Sequence, residues 1–512
     1  MQRLSFLVKK FWLFSLSGLF ILIVSCQSGN DSSTAKLPGA TEGERLAQTY
    51  CGRCHLPVSP DALDKETWSK HVLPAMALKL GLEVWQKTHY YYPPTAAISQ
   101  VDWLKLVDYY ETLAPAKPKK ATPPVKLMTD WSVFKLMKPA EQTNKLATTT
   151  MVTFDSARHQ LYTSNESDAG LYQWNSALTP TLIQQLPSPA VQATFTADAS
   201  GSPRVQLTCI GTMLAVDRPS GELLDIGLDK ASTSAPVVLA SQLPRPIQSV
   251  PGDFSKDGLT DWIVCGFGHE AGALYWLKQR PDHTFEKTVI KEVAGASQVI
   301  SGDFNQDGWL DFMALFAHAD EGIWLFTNDH KGGFSEKNLL RFPPVYGSTS
   351  FQLVDMNKDG RLDILYTCGD NSDYSRVLKP FHGVYIFTNQ GSGQYKQTYF
   401  YPINGCTKAI AADFDLDGDL DIATIAFFGD LKNNPAETFI YFEQEKPVSF
   451  IPHAIPVSQY GRWISMDASD WDHDGDVDIV LGNYAPGFLN EVRFTPTWNG
   501  FLPFVVLENR RK

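Results

Sequence analysis

Two kinds of apolar spacing divide this chain, and a recurring acidic interval punctuates the longer part. From about residue 148 onward, short apolar runs alternate with turn-rich stretches, as strands require. Examples are Ile247-Gln248-Ser249-Val250, Trp262-Ile263-Val264 and Phe312-Met313-Ala314-Leu315-Phe316. The clearest unit reads Val299-Ile300-Ser301, an acidic loop, Phe312 to Phe316, Ile323-Trp324-Leu325-Phe326 and a more polar run from Phe334 to Leu340. Four strands per unit, with units 50 to 58 residues apart, predict propeller blades. Thr148 to Ile183 and Val191 to Ile226 show the strand pattern without the acidic loop. Two degenerate units and five clear ones give an expected seven-bladed wheel over 146–512. Phe504-Val505-Val506-Leu507 lies almost at the C-terminus, so closure is expected to borrow a strand from near Trp131 to Leu136.

The N-terminal part has helical spacing instead. Glu44 to Tyr50 reads as a short helix, and Val101, Leu104, Leu106, Val107, Tyr110 and Leu113 recur at helical intervals until Pro115. A small all-α domain is therefore expected over 42–115, between a flexible linker at 26–41 and an Ala/Pro/Lys-rich linker at 116–145. Before them, Arg3, Lys9 and Lys10 precede an apolar run from Phe11 to Val24, shorter than the ~20 residues of a membrane span. It ends in Ile23-Val24-Ser25-Cys26, which resembles a bacterial lipobox. That resemblance implies a signal peptide at 1–25 and a lipidated Cys26 that tethers the protein to the cell envelope. The alternative is an ordinary signal or anchor with a chance cysteine.

The acidic intervals share the pattern D-x-[D/N/S]-x-D-G-x-x-D. Their candidate ligands are Asp253, Ser255, Asp257 and Asp261; Asp303, Asn305, Asp307 and Asp311; Asp355, Asn357, Asp359 and Asp363; Asp413, Asp415, Asp417 and Asp421; and Asp470, Asp472, Asp474 and Asp478. Oxygens at positions 1, 3, 5 and 9, with the carbonyl of position 7, suit a hard cation that takes six to eight oxygen ligands. Glycine at position 6 permits the tight turn. Strand-like flanks and the lack of a position-12 glutamate set these loops apart from EF-hands, so up to five Ca²⁺ are expected on hairpins.

Cys51-Gly52-Arg53-Cys54-His55 reads as a c-type haem attachment site: two thiols for thioethers and an adjacent imidazole for the iron. A redox dithiol should follow a strand in a βαβ unit, and half a zinc site needs a second ligand pair; neither pattern is present. Met76 is the expected sixth ligand, because a thioether suits electron transfer, with His71 and His89 as rivals.

Two family resemblances follow from these residues. Residues 42–115, with helices flanking the CxxCH, resemble small class I cytochromes c, although Met76 follows His55 sooner than is usual there. The acidic-loop units resemble FG-GAP or VCBS repeats, whose integrin-type members form seven-bladed propellers with calcium between the first two strands. Together they imply a multidomain lipoprotein: a small all-α cytochrome c domain carrying one covalent haem c, then an all-β propeller with calcium-binding loops.

The formal charge of −12, about −15 without Arg3, Lys9 and Lys10, argues against nucleic-acid binding. Most of it lies in the repeated loops. Four of the seven cysteines remain unassigned: Cys209, Cys265, Cys368 and Cys406. Cys368 and Cys406 should meet on the face opposite the acidic loops, where a disulfide is one hypothesis, although spacing alone does not establish pairing. That face also carries the longer connections Gly268-His269-Glu270, His318-Ala319-Asp320, Gly369-Asp370-Asn371 and Phe428-Gly429-Asp430, a candidate surface for a redox protein or extracellular ligand. The expected function is electron transfer by a membrane-tethered cytochrome. A quinohaemoprotein-like dehydrogenase of alcohols or sugars and an adhesion or glycan-binding scaffold with a haem sensor are the alternatives. No catalytic constellation stands out.

Overall fold

The computed structural model describes residues 38–511 apart from 87–88, 142–144, 199, 230–234, 373–375 and 488–493. The leader and Cys26 lie outside the described residues. No helix among the described residues is long and apolar enough to cross a membrane.

Seven antiparallel sheets make the propeller. Blades one to five contain four consecutive strands each, beginning at Thr149, Ala190, Pro246, Ala296 and Ser348. Blade six begins at Lys408, and β3 (Met128–Thr129) pairs in parallel with its outer strand. Blade seven has only three local strands, from Trp463, Asp478 and Phe504; β4 (Phe134–Met137) supplies the fourth by pairing antiparallel with Phe504–Asn509. Closure thus uses the segment expected from sequence. It also corrects the linker at 116–145, which supplies two strands because a wheel with a missing edge would leave backbone groups unpaired.

Apolar side chains fill the gaps between neighbouring sheets. Between blades six and seven, for example, Ile425, Tyr441, Trp463, Leu481, Val505 and Leu507 pack as one buried cluster. Second strands such as Asp261–Gly266 and Asp311–Phe316 are buried along their whole length, which explains their unbroken apolar runs.

Around the centre, a side chain on each first strand reaches the backbone of the next blade. Thr150 Oγ1 donates to the Ala190 carbonyl (2.6 Å). Oε1 of Gln192, Gln248, Gln298 and Gln352 accepts from the N–H of Ser249, Val299, Phe351 and Ala411 in turn. Lys408 Nζ donates to the Met466 carbonyl (2.8 Å), and Asp467 accepts from Phe154 N–H (2.8 Å) to complete the circle. Each bond contributes about 1 kcal/mol.

The N-terminal unit contains α1 (Pro38–Tyr50), a single turn α2 (Lys65–Thr67), α3 (Leu73–Lys79), a hairpin of β1 (Glu83–Trp85) and β2 (His89–Tyr91), and α4 (Gln100–Leu113). Helix α1 starts inside the expected linker 26–41. It crosses α4 so closely that a Cβ on Gly43 would lie 2.2 Å from Tyr109 Cβ, which requires glycine. Asp64 and Ser99 cap α2 and α4 through the N–H groups of Thr67 and Asp102. Leu46, Trp68, Leu73, Trp103, Leu106 and Tyr110 form the core, against which Val345 and Val377 of the propeller also pack.

The hypothesised Cys368–Cys406 disulfide is not formed. Cys368 and Cys406 are both free and buried, and the Cys368 thiol donates instead to the Phe381 carbonyl (3.2 Å).

Candidate metal and haem sites

Helix α1 runs directly into a 3₁₀ turn, Cys51–Arg53, that displays the CxxCH. The N–H groups of Cys54 and His55 both donate to the Cys51 carbonyl (3.3 and 3.4 Å), so the turn holds the two thiols and the imidazole on one tight loop. Cys51 is half-buried, and burial pushes its thiol up to about 11; Cys54 is exposed. His55 Nδ1 lies 2.8 Å from the Leu56 carbonyl. A carbonyl can only accept, so Nδ1 is the donor in this contact and Nε2 is the ring nitrogen left to face a metal. Met76 is half-buried on α3, whose Leu73 and Ala77 enter the same core as Cys51. His71 and His89 are exposed. Trp103 is fully buried, yet its indole N–H has no hydrogen-bond partner. A porphyrin, with apolar faces and acceptor propionates, is a group that these residues fit.

The five acidic loops share one conformation. Position 4 adopts a left-handed backbone in every one (Lys256, Gln306, Lys358, Leu416 and His473, φ 55 to 69°), and so does the glycine at position 6 (φ 81 to 96°). In the first three loops the Asp at position 1 accepts the N–H groups of positions 5 and 6, at 2.8 to 3.0 Å; Asp413 accepts that of Gly418 (3.0 Å).

Position 9 is fully buried in every loop. One oxygen of Asp311, Asp363, Asp421 and Asp478 accepts the position-2 N–H, from Phe304, Met356, Phe414 and Trp471. Asp261 instead takes that of Ser255. The other oxygen accepts the N–H at the end of the third strand, from Gln279, Asn328, Asn389, Gln444 or Asn509. Burial raises all five carboxyls, Asp421 and Asp478 to about 7. The apolar position-2 anchors and the terminal Asn and Gln residues were missed by sequence reasoning. A signal for them exists: an aromatic or methionine always follows the first Asp, and an amide residue lies at or within two residues of the end of each third strand.

The loops differ in what meets their carboxylates. Asp257 faces Lys278 (3.8 Å), Asp307 faces His330 (2.8 Å), and Asp359 pairs with Arg361 (2.5 Å). Asn305 and Asn357 turn their amide N–H groups onto Asp307 and Asp359 (2.8 and 3.1 Å). In the last two loops, oxygens of Asp413, Asp415 and Asp417, and of Asp470, Asp472 and Asp478, converge within 4.8 Å of one another, and Arg511 also reaches Asp415 (3.8 Å). One oxygen of Asp413 is buried without a hydrogen-bond partner. Those two oxygen-only clusters have the donor chemistry of a hard divalent ion.

The helical unit lies against the face opposite the acidic loops. Lys79 on α3 pairs with Glu270 (3.2 Å), beside the apolar contacts of Val345 and Val377.

A family model for the FG-GAP-like repeat matches residues 253–314 and 303–366, which span the first three acidic loops. The chain therefore carries FG-GAP repeats within a seven-bladed β-propeller. No curated protein matches the sequence. Among solved structures, the chain is similar to an ancestral GH74 enzyme (10% identity, TM-score 0.45, covering 76% of this chain and 51% of that one). It is also similar to virginiamycin B lyase from Staphylococcus aureus (13%, TM-score 0.44, covering 73% and 98%) and to the WD40 domain of SCAP from fission yeast (10%, TM-score 0.37, covering 75% and 98%). The chain spans about half the length of the GH74 enzyme. At such scores these likenesses say nothing of activity or ligand.

Proposed function

We propose that this protein is an envelope-tethered c-type cytochrome that transfers electrons, with a calcium-stabilised propeller as its docking body. The observation that carries the reading is the CxxCH at the end of α1, with His55 Nδ1 engaged by a carbonyl and Nε2 left to ligate. Cys51 and Cys54 would hold the porphyrin through thioethers, His55 would ligate the iron, and Met76 would supply a second ligand. When bound, haem supplies one-electron exchange at its iron. The chain's own residues position it: the 3₁₀ turn fixes the thiols, the Leu56 carbonyl orients the imidazole, and the α1–α4 crossing makes the unit rigid.

Calcium's proposed role is structural. Asp413, Asp415 and Asp417 with Asp421, and Asp470, Asp472 and Asp474 with Asp478, would hold the two tightest ions. The first three loops would bind more weakly because Lys278, His330 and Arg361 compete for position 5, whereas the one cationic contact in the fourth loop, Arg511, falls on position 3. The proposed docking face bears the chain's own helical unit over Glu270, Val345 and Val377. An external redox protein or ligand would meet the remaining connections, around His318-Ala319-Asp320 and Phe428-Gly429-Asp430. A lipid on Cys26 would tether the whole to a membrane.

The decisive experiment is expression in a host that matures c-type cytochromes. Haem should stay with the polypeptide through acid denaturation, and Cys51→Ala with Cys54→Ala should abolish that retention. A colourless wild-type protein would overturn the reading. Haem reduction on adding alcohols or sugars would redirect it toward a dehydrogenase.

A further inference from the structure

The last acidic loop carries a carboxylate that its D-x-D-x-D-G-x-x-D pattern does not require. Position 7, which a single-ion loop uses only through its backbone carbonyl, is Leu259, Trp309 and Arg361 in the first three loops but Asp419 and Asp476 in the last two. The two aspartates differ in their surroundings. Asp419 is partly exposed, with Gln444 in hydrogen-bonding reach and Lys358 of the preceding loop as a cationic neighbour. Asp476 is fully buried, and both of its carboxylate oxygens are without a hydrogen-bond partner. The charged groups it faces are Asp474, Asp478 and Asp472.

Asp474 turns to meet it. In the fourth loop the position-5 carboxylate, Asp417, converges with those of positions 1 and 3; in the fifth the converging oxygens are those of Asp470, Asp472 and Asp478. Asp474 instead accepts the Asp476 N–H (3.3 Å) and lies beside its carboxylate. Five carboxylates thus stand within nine residues, in two groups. Asp257, Asp307, Asp359 and Asp415 of other loops each face a cationic side chain, whereas among the described residues none of these five does. A buried carboxylate beside another is unfavourable unless something positive lies between them. A proton shared by Asp474 and Asp476 would reach one Asp476 oxygen and leave the other buried without a donor. A hard cation, with six to eight positions for oxygen, can meet both.

We propose that the last loop is a two-calcium site: beside the ion at Asp470, Asp472, Asp474 and Asp478, a second Ca²⁺ sits between Asp474 and Asp476, with Asp474 shared by both. One divalent ion leaves the five carboxylates of this loop at −3, and two leave them at −1. The exposed side of Asp474 gives the second ion its way in, and water fills its remaining positions. An irregular set of oxygens suits calcium better than magnesium, which demands near-ideal octahedral geometry. The proposal rests on the reading of these loops as calcium sites and adds one ion to the five expected there.

The test strips the whole purified protein with chelator and counts bound Ca²⁺ by equilibrium dialysis at rising free calcium. Asp476→Asn should bind one ion fewer than the wild type, and so should Asp476→Leu, which puts the first loop's residue type at position 7. Asp419→Asn should leave the count unchanged. Thermal melts give a second readout and check folding. A neutral amide relieves repulsion among empty carboxylates, so Asp476→Asn should melt above the wild type in chelator and lose that advantage in calcium. An ion count unchanged in both Asp476 variants would overturn the proposal and leave the calcium reading of the loops intact. A wild type that binds no calcium would overturn both.

Discussion

A carboxylate can serve the backbone, a cation, or both, and the position-9 aspartates separate these roles from their neighbours. Asp421 binds the N–H groups of Phe414 and Gln444 and also accepts from the Tyr441 hydroxyl (2.7 Å), whereas Asp417 is exposed and turned to its own loop. Asp421→Ala should therefore cost about 3 kcal/mol even in chelator, because buried donors lose their acceptor. Asp417→Asn should lower the melting temperature only when calcium is present. An Asp421→Ala variant that melts with the wild type in chelator would refute the division.

Glu321 gives a second test at this scale. It is fully buried, accepts from Ser348 Oγ (2.5 Å) and leaves its other oxygen without a hydrogen bond; burial pushes its carboxyl up to about 8. An unfolded chain releases this proton near the ordinary value of 4.5, while the folded one keeps it. The group's contribution is thus fully present below pH 4.5, declines as pH rises, and is lost above about 8. Glu321→Gln should raise stability at pH 8.5 by on the order of 2 kcal/mol and do little at pH 5, as melts at the two pH values would show.

Among the elements, β4 has the largest consequence for its size. Its four residues complete blade seven, and Phe134, buried at 4% exposure, packs edge-on against Phe414 and Tyr441. Phe134→Ala should cost about 3–5 kcal/mol, while breaking the exposed Lys135–Glu508 pair (2.8 Å) should cost less than about 1 kcal/mol. Removing residues up to 113 should leave a folded propeller; removing them up to 137 should not. Circular dichroism and protease resistance of the two truncations decide this. Periodicity revealed this strand only by counting, because four residues with two partly exposed positions carry little pattern of their own.

At the scale of the whole molecule, stability comes from closure. The inter-blade bonds from Thr150 round to Asp467 form a circle, so opening one junction loosens its neighbours. If the loops hold calcium as proposed, chelation should consequently lower the propeller's melting temperature cooperatively, which calorimetry would show. The helical unit adds a smaller interface. Because Lys79 and Glu270 are both largely exposed, Lys79→Glu should change stability by under about 1 kcal/mol, but should increase protease access to the 116–127 segment.

Local chemistry was fixed by residue order alone. The CxxCH turn, the five acidic loops, the repeat length and hence the blade number are short-range patterns, each set by spacing within a few residues or by recurrence. Tertiary structure decided whatever depends on distant partners. It seated Phe134 in the last blade, paired Asp130 with His453, left Cys368 and Cys406 as free thiols, and laid the helical unit over Glu270. It also divided the loops, because Lys278 and His330 reach Asp257 and Asp307 from the third strand or the turn that follows it. No local pattern encodes such meetings: they arise only once the wheel is closed and strands far apart in sequence become neighbours.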